Sequence, residues 1–328
     1  MSPIKILLVG LGRWGEKHLR VLTGLGAEVW VADLDPGRLA WATRTFGIDP
    51  RRTTADFRTA LDEVEAVDLV TPADTHLDLA VPCLEAGKHC FVEKPLTRTV
   101  AEARVVAETV RRTGRVLQVS HVFRFLPATE VVRRCLTDEQ VGQIRYLTSR
   151  FAGFKRPRAD VGVTQTDAIH YFDLFAYLLG QPPSAVTAIL RDYLDRGLDD
   201  LAFVIVEYGE VPAFVEADYF VPGTLRDCVV VGTKGSLAVD FDQSLVTLFR
   251  NLHQRRDGHW TALKGEPEPF KATGEEPLHR ELASFVESVR TGRAPAVGVA
   301  EGVLALQVVE AAQLSSRLGR RVTLAEAG

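Results

Sequence analysis

Three segments of the chain bring together residue types that can do chemistry. Gly10-Leu11-Gly12-Arg13-Trp14-Gly15 is a GxGxxG run placed between an apolar strand-like stretch and a helical pattern. Its first glycine permits a tight turn, its second lets the backbone approach a pyrophosphate, and its third lets helix pack on strand. Free N–H groups at the helix N-terminus then meet the phosphates. Asp33 follows at the end of the next strand-like run, about 20 residues on, where an acid grips a ribose diol. Its carboxylate repels a 2′-phosphate, so the expected cofactor is NAD rather than NADP; Arg38 is the one nearby cation able to reverse that choice, and Asp33 read more simply begins a turn. The second segment is Glu93-Lys94-Pro95, directly after a strand. A partly desolvated lysine there can donate a hydrogen bond to a substrate hydroxyl or shuttle its proton, although a lone lysine is more often a solvated one. The third is Asp167-Ala168-Ile169-His170-Tyr171-Phe172-Asp173 on a helix. Asp167 and His170 share a face and Asp173 continues the stripe. Near the helix N-terminus the dipole favours neutral imidazole, the form needed to take a proton from a carbinol. The plainer reading is a His–Asp pair bracing the helix. A metal site lacks the HExxH pattern or a second histidine at ligand spacing, so none is expected.

The elements that must position these residues fall into two halves. From Ile4 to Ser120, short runs apolar throughout (Ile4–Gly10, Ala27–Asp33, Val67–Thr71, Lys88–Val92, Val116–Ser120) alternate with helical patterns. That rhythm predicts a doubly wound parallel sheet covered on both faces, a Rossmann-type dinucleotide-binding domain over residues 1–120. After His121 a helix over 128–136, a strand over 143–151, a basic loop and a helix over 166–179 precede a series of strands. Thr233-Lys234-Gly235 reads as a hairpin turn, residues 251–277 as a polar surface excursion, and 278–290 and 299–318 as helices. The expectation for 121–328 is an α+β domain with an open, largely antiparallel sheet. The whole chain is thus α/β in class.

Composition narrows the function classes. The 328 residues carry 39 Lys plus Arg against 43 Asp plus Glu, a net charge of −4, which does not supply the basic surface that nucleic acid needs. No apolar stretch is long enough to span a bilayer, and the start of the chain runs straight into a strand without room for a signal peptide. Cys83, Cys90, Cys135 and Cys228 show no CxxC spacing, so a reducing cytoplasm fits better than a disulfide framework.

The combination of motifs resembles the Gfo/Idh/MocA family of nicotinamide-dependent sugar oxidoreductases. The likeness rests on the glycine run with its trailing His18, Thr71-Pro72 with His76, Ala86-Gly87-Lys88-His89 followed by Glu93-Lys94-Pro95, His121-Val122-Phe123-Arg124-Phe125, the His170 helix, and Gly232-Thr233-Lys234-Gly235-Ser236. It spans essentially the whole chain. The resemblance implies that Lys94 contacts both substrate hydroxyl and nicotinamide ribose and that His170 is the acid/base. It implies that Asp167 or Asp173 orients that histidine or binds a sugar hydroxyl, and that Arg124 lies near cofactor and substrate. Thr71, Pro72 and His76 are implied to line the nucleotide cleft with Glu93, and the second domain to form a homodimer or homotetramer. In one respect the chain departs from the family: many members carry Asp four residues before the histidine, where this chain has Thr166 and places Asp167 one residue later.

The expected activity is hydride transfer between NAD and a secondary hydroxyl or keto carbon of a sugar, cyclitol or nucleotide sugar. Lys155-Arg156-Pro157-Arg158, just before the helix, could clamp a substrate phosphate or carboxylate, although clustered surface charges are usually only solvated. Two alternatives use the same fold: NAD-assisted glycoside cleavage, and a non-catalytic nucleotide-binding sensor, which has no need of both Lys94 and His170.

Overall fold

The computed structural model describes residues 2–327. Its first sheet contains β1 (Lys5–Val9), β2 (Glu28–Ala32), β3 (Thr53–Thr54), β4 (Ala66–Leu69), β5 (His89–Val92) and β6 (Leu117–Val119). All pairs are parallel and the order is β3-β2-β1-β4-β5-β6. This is the doubly wound order whose strand carboxyl ends bind ligands where the order reverses, here between β1 and β4. Both faces are covered, so Ile6, Leu7 and Leu8 of β1 are all fully buried. Local chemistry sets the helices α1 (Arg13–Gly24), α2 (Pro36–Phe46), α3 (His76–Glu85) and α4 (Val100–Thr113). Asp35 caps α2 by accepting the Gly37 N–H, with Pro36 in the first turn and Gly47 ending the helix in the left-handed region. Thr99 and Glu102 form a reciprocal capping box on α4.

A second sheet holds β7 (Ile144–Gly153), β8 (Ala185–Arg191), β9 (Leu201–Tyr208), β10 (Val211–Asp218), β11 (Thr224–Gly232), β12 (Ser236–Asp240) and β13 (Leu245–Phe249). Its pairs are antiparallel except β7 with β10. The expected turn at 233–235 joins β11 to β12, with the Gly232 N–H donating to the Gly235 carbonyl. On one face lie α5 (Pro127–Thr137) and α6 (Ile169–Leu179). Buried hydroxyls tie α6 to the strands: the Tyr171 hydroxyl lies 2.9 Å from both the Arg150 and the Asp227 carbonyl oxygens, and Tyr208 of β9 donates to the Phe172 carbonyl. The other face leaves Ile189, Phe203 and Phe214 exposed.

Residues 251–277 are not simply an excursion. They contain β14 (Leu252–Arg256) and β15 (His259–Leu263), paired as a hairpin, and β16 (Pro267–Lys271), which joins the second sheet beside β13. Every residue of β14 and β15 is exposed, so neither carries the apolar alternation that marks a half-buried strand. Pro267 and Pro269 disguise β16, and its edge position is what tolerates them.

The domain division also needs one correction. The first compact unit is Met1–His121 together with Glu276–Leu306, and the second is Val122–Glu275 with Gln307–Gly328. The sequence pattern divides the chain into 1–120 and 121–328, whereas in the structure residues 276–306 belong with the first unit. The returning helix α7 (Pro277–Thr291) buries Leu278, Leu282, Phe285 and Val286 in the same core as β1 and β2. Phe285 meets Phe91 of β5 edge-on at 5.6 Å. The next helix, α8 (Val299–Leu318), ends in the second unit, where Ser315 and Ser316 accept the Ala188 and Leu190 N–H groups of β8.

Candidate active site

The glycine turn has the shape of a phosphate cradle. Gly10 adopts φ +94°, and a Cβ there would lie 2.5 Å from the Val70 carbonyl oxygen; one at Gly15 would lie 2.0 Å from the Gly10 oxygen. At Gly12 a Cβ would meet nothing within 4 Å, so its missing side chain leaves open space at the start of α1 rather than relieving a clash. No side chain caps α1, which leaves the main-chain N–H groups of Arg13, Trp14 and Gly15 as the natural partners of a pyrophosphate. Asp33 sits beside this turn, its two oxygens accepting the Leu11 N–H at 2.6 Å and the Asp35 N–H at 2.8 Å. Arg38 is turned to other work: its Nε donates to the Leu11 carbonyl at 2.7 Å and it pairs with Glu16 at 2.6 Å. A cleft of about 730 Å³ runs past Gly10, Gly12, Asp33, Thr71 and Pro72. The residues therefore fit a dinucleotide.

His76 does not line that cleft. It is buried, and its ring nitrogens lie 3.0 Å from the Pro95 carbonyl and 3.0 Å from the Thr71 carbonyl. It braces the Thr71-Pro72 loop against the Glu-Lys-Pro turn from behind. Burial lowers its pKa despite those carbonyls. Lys94 stands half-buried just past the carboxyl end of β5. Glu93 points inward, its Oε2 accepting the Lys94 N–H at 3.1 Å and its Oε1 accepting the Ser120 hydroxyl at 2.8 Å. Both of its oxygens thus have partners within the protein.

In the second unit His170 occupies the second residue of α6 and is 5% exposed. Its ring packs beside two phenyl rings, Phe123 at 4.7 Å and 20° and Phe151 at 5.5 Å and 12°, which are themselves 5.8 Å apart, so the three rings form a triangle. The helical run expected from Thr166 begins instead with a wide turn over Thr164–Ala168, in which the Ile169 N–H donates back to the Thr164 carbonyl. Such wide turns recur at functional sites. Asp167 lies in this turn, 3% exposed, with the Lys155 ammonium 2.7 Å from its Oδ2. Lys155 also sits over the Phe151 ring at 4.7 Å, so Lys155, Asp167, Phe151 and His170 form one cluster.

Several of the expected site residues are paired with one another. Asp173 is gripped by Arg124 through both oxygens, at 2.8 and 2.6 Å, with side chains 1% and 9% exposed. This charge-assisted fork holds the two side chains to each other. In the basic loop Lys155 is paired with Asp167 and Arg158 with Asp160, and Arg156 is exposed.

Residues 4–121 match the NAD-binding Rossmann-fold model of the GFO_IDH_MocA oxidoreductase family, and residues 133–324 match that family's C-terminal alpha/beta domain. The chain belongs to the Gfo/Idh/MocA family. It is 30% identical to a scyllo-inositol 2-dehydrogenase (NAD(+)) of Bacillus subtilis strain 168, over 98% of this chain and 96% of that protein. It is 27% identical to a D-apiose dehydrogenase of Paraburkholderia graminis, over 99% of this chain and 90% of the other. A levoglucosan dehydrogenase solved with NADH and levoglucosan shares the fold, with TM-score 0.86, 21% identity and coverage of 98% and 100%. Within this Gfo/Idh/MocA chain the nucleotide signature was legible as a spaced motif. The phenyl rings around His170 were not, because Phe123 and Phe151 lie far from it in sequence and carry no spacing signal.

Proposed function

We propose that this chain is an NAD-dependent dehydrogenase that oxidises a secondary hydroxyl of a neutral sugar or cyclitol, or runs the reverse reduction. The observation that carries the reading is the cluster around His170. A buried histidine packed against two phenyl rings beside an Asp167–Lys155 pair is restricted in orientation, as a base aimed at a single hydroxyl must be. When bound, the nicotinamide supplies the acceptor for the hydride. His170 takes the hydroxyl proton, Asp167 and Lys155 hold neighbouring hydroxyls, and Lys94 donates to the substrate oxygen. A neutral polyol is favoured over a nucleotide sugar because Lys155 and Arg158 of the basic loop already have carboxylate partners.

Two further features go with this reading. The exposed sheet face around Ile189, Phe203 and Phe214 would be covered by a second copy, giving a homodimer or a tetramer built from it. Four buried, unbridged cysteines suit a reducing cytoplasm. The test is NADH appearance with NAD and separate panels of inositols, free sugars and UDP-sugars. Turnover of inositols or free sugars supports the reading. Turnover of UDP-sugars alone moves the substrate class back to nucleotide sugars, and NAD binding without turnover or reverse reaction on any panel refutes it.

A further inference from the structure

Behind the Glu-Lys-Pro turn lies a chain of polar groups that nothing in hydride transfer itself requires. His18 on α1 is fully buried, with Nδ1 2.9 Å from Asp68 of β4 and Nε2 3.4 Å from Glu93. On the far side of Glu93, the Ser120 hydroxyl lies 2.8 Å from its Oε1 and 3.3 Å from Oε2 of Glu281 on α7. Glu281 is fully buried too, and its carbonyl accepts the Gln118 side chain.

Ser120 has one hydroxyl hydrogen and two carboxyl neighbours, so it can donate to only one of them. The contradiction disappears when Glu281 is a neutral acid. It then donates to the Ser120 oxygen, and Ser120 donates to Glu93. Burial pushes the Glu281 carboxyl well up, which is the state this proton count demands. At the other end burial alone would strip His18 of its proton, but Asp68 and Glu93 outweigh it and push the imidazole up to about 10. The same imidazolium holds Glu93 below the usual carboxylate range against its own burial. Glu93 is left as the ionised centre, held by His18 and Ser120 through one oxygen and holding the Lys94 N–H with the other.

We propose that His18 is a positioning residue for Lys94: by pinning the Glu93 carboxylate from the core, it fixes the main chain from which the Lys94 side chain projects. The device deepens the dehydrogenase reading and rests on it for the role of Lys94, but the positioning itself is measurable without a substrate. It also accounts for a histidine placed three residues after the last glycine of the nucleotide motif and sealed from the cleft.

The experiment is amide hydrogen exchange of 15N-lysine-labelled protein, comparing the Lys94 N–H with that of Lys88, which is bonded to the Cys83 carbonyl in the same unit. In His18→Asn the Lys94 amide should exchange about 10-fold faster while Lys88 changes less than about 2-fold. In a Glu93→Gln background His18→Asn should add nothing further. If His18→Asn does not fold, Ser120→Ala replaces it, with a selective rise of about 3-fold at Lys94 expected. Equal acceleration at both lysines would show a merely structural polar core, and no change at Lys94 would show that Glu93 needs no pinning. Either result overturns the proposal.

Discussion

The imidazole of His170 stacks on the phenyl ring of Phe123, with centroids 4.7 Å apart and planes 20° from parallel. Phe123 comes from the short helical turn Val122–Phe125 and His170 from α6, and the Thr129 hydroxyl secures the turn by donating to the Phe123 carbonyl at 2.7 Å. The ring is thus a wall for the histidine that is itself tied down.

If that wall sets the aim of the base, its loss should be read in turnover rather than in binding. His170→Asn should lower kcat by about 100-fold or more, the usual scale for a positioned general base. Phe123→Leu should lower kcat by about 10-fold with little change in KM, since orientation is lost and hydroxyl contacts are not. Steady-state kinetics on the best polyol from the panel measures both.

The Leu11 N–H donates to Asp33 at 2.6 Å and fixes the carboxylate beside the glycine turn. Asp33→Ser should weaken NAD by about 10-fold and NADP far less, because it removes a charge-assisted diol contact and a repulsion together. Isothermal titration with both cofactors checks this, and an unchanged ratio would place the selectivity elsewhere.

The three glycines of the turn should not respond alike. Gly15→Ala puts a Cβ 2.0 Å from the Gly10 oxygen and should fail to fold or melt far lower. Gly12→Ala meets no protein atom within 4 Å, so it should fold normally yet lose about 10-fold or more in NAD affinity by filling the phosphate space. Thermal melts with and without NAD separate the two effects.

Stability should fall as the solution becomes alkaline. His18 is pushed from 6.5 to about 10, so the folded chain holds this proton more tightly than the unfolded one. Its contribution is complete below 6.5 and is lost as pH rises toward about 10, at up to ~1.4 kcal/mol per pH unit. Glu281, raised above its ordinary 4.5 by burial, acts with the same sign from that pH upward. Glu281→Gln keeps the shape without the ionisable proton and should flatten the alkaline loss of Tm between pH 6 and 9 while leaving the melt near pH 4.5 little changed. Melting curves across that range test it, and parallel curves for the two proteins would refute the neutral-acid assignment.

What the sequence determined by itself was whatever is encoded locally. Apolar runs alternating with helical periods specify a parallel sheet, and glycines at fixed spacing with an acid at the next strand end specify a dinucleotide turn, because each depends on neighbours within a few residues. Lys94 and His170 stood out as candidates for the same reason, as motifs with fixed flanks. The tertiary structure decided the rest. Only folding could bring α7 back into the first core, where its apolar stripe fits equally well with any sheet as far as the sequence can say. Only folding could give Asp173 to Arg124 and Asp167 to Lys155, since helical spacing puts both acids near His170 but does not choose their partners. The same holds for the buried chain from His18 to Glu281, whose members come from five separate segments. Their charges have meaning only once water is excluded, and exclusion is a property of the packed chain.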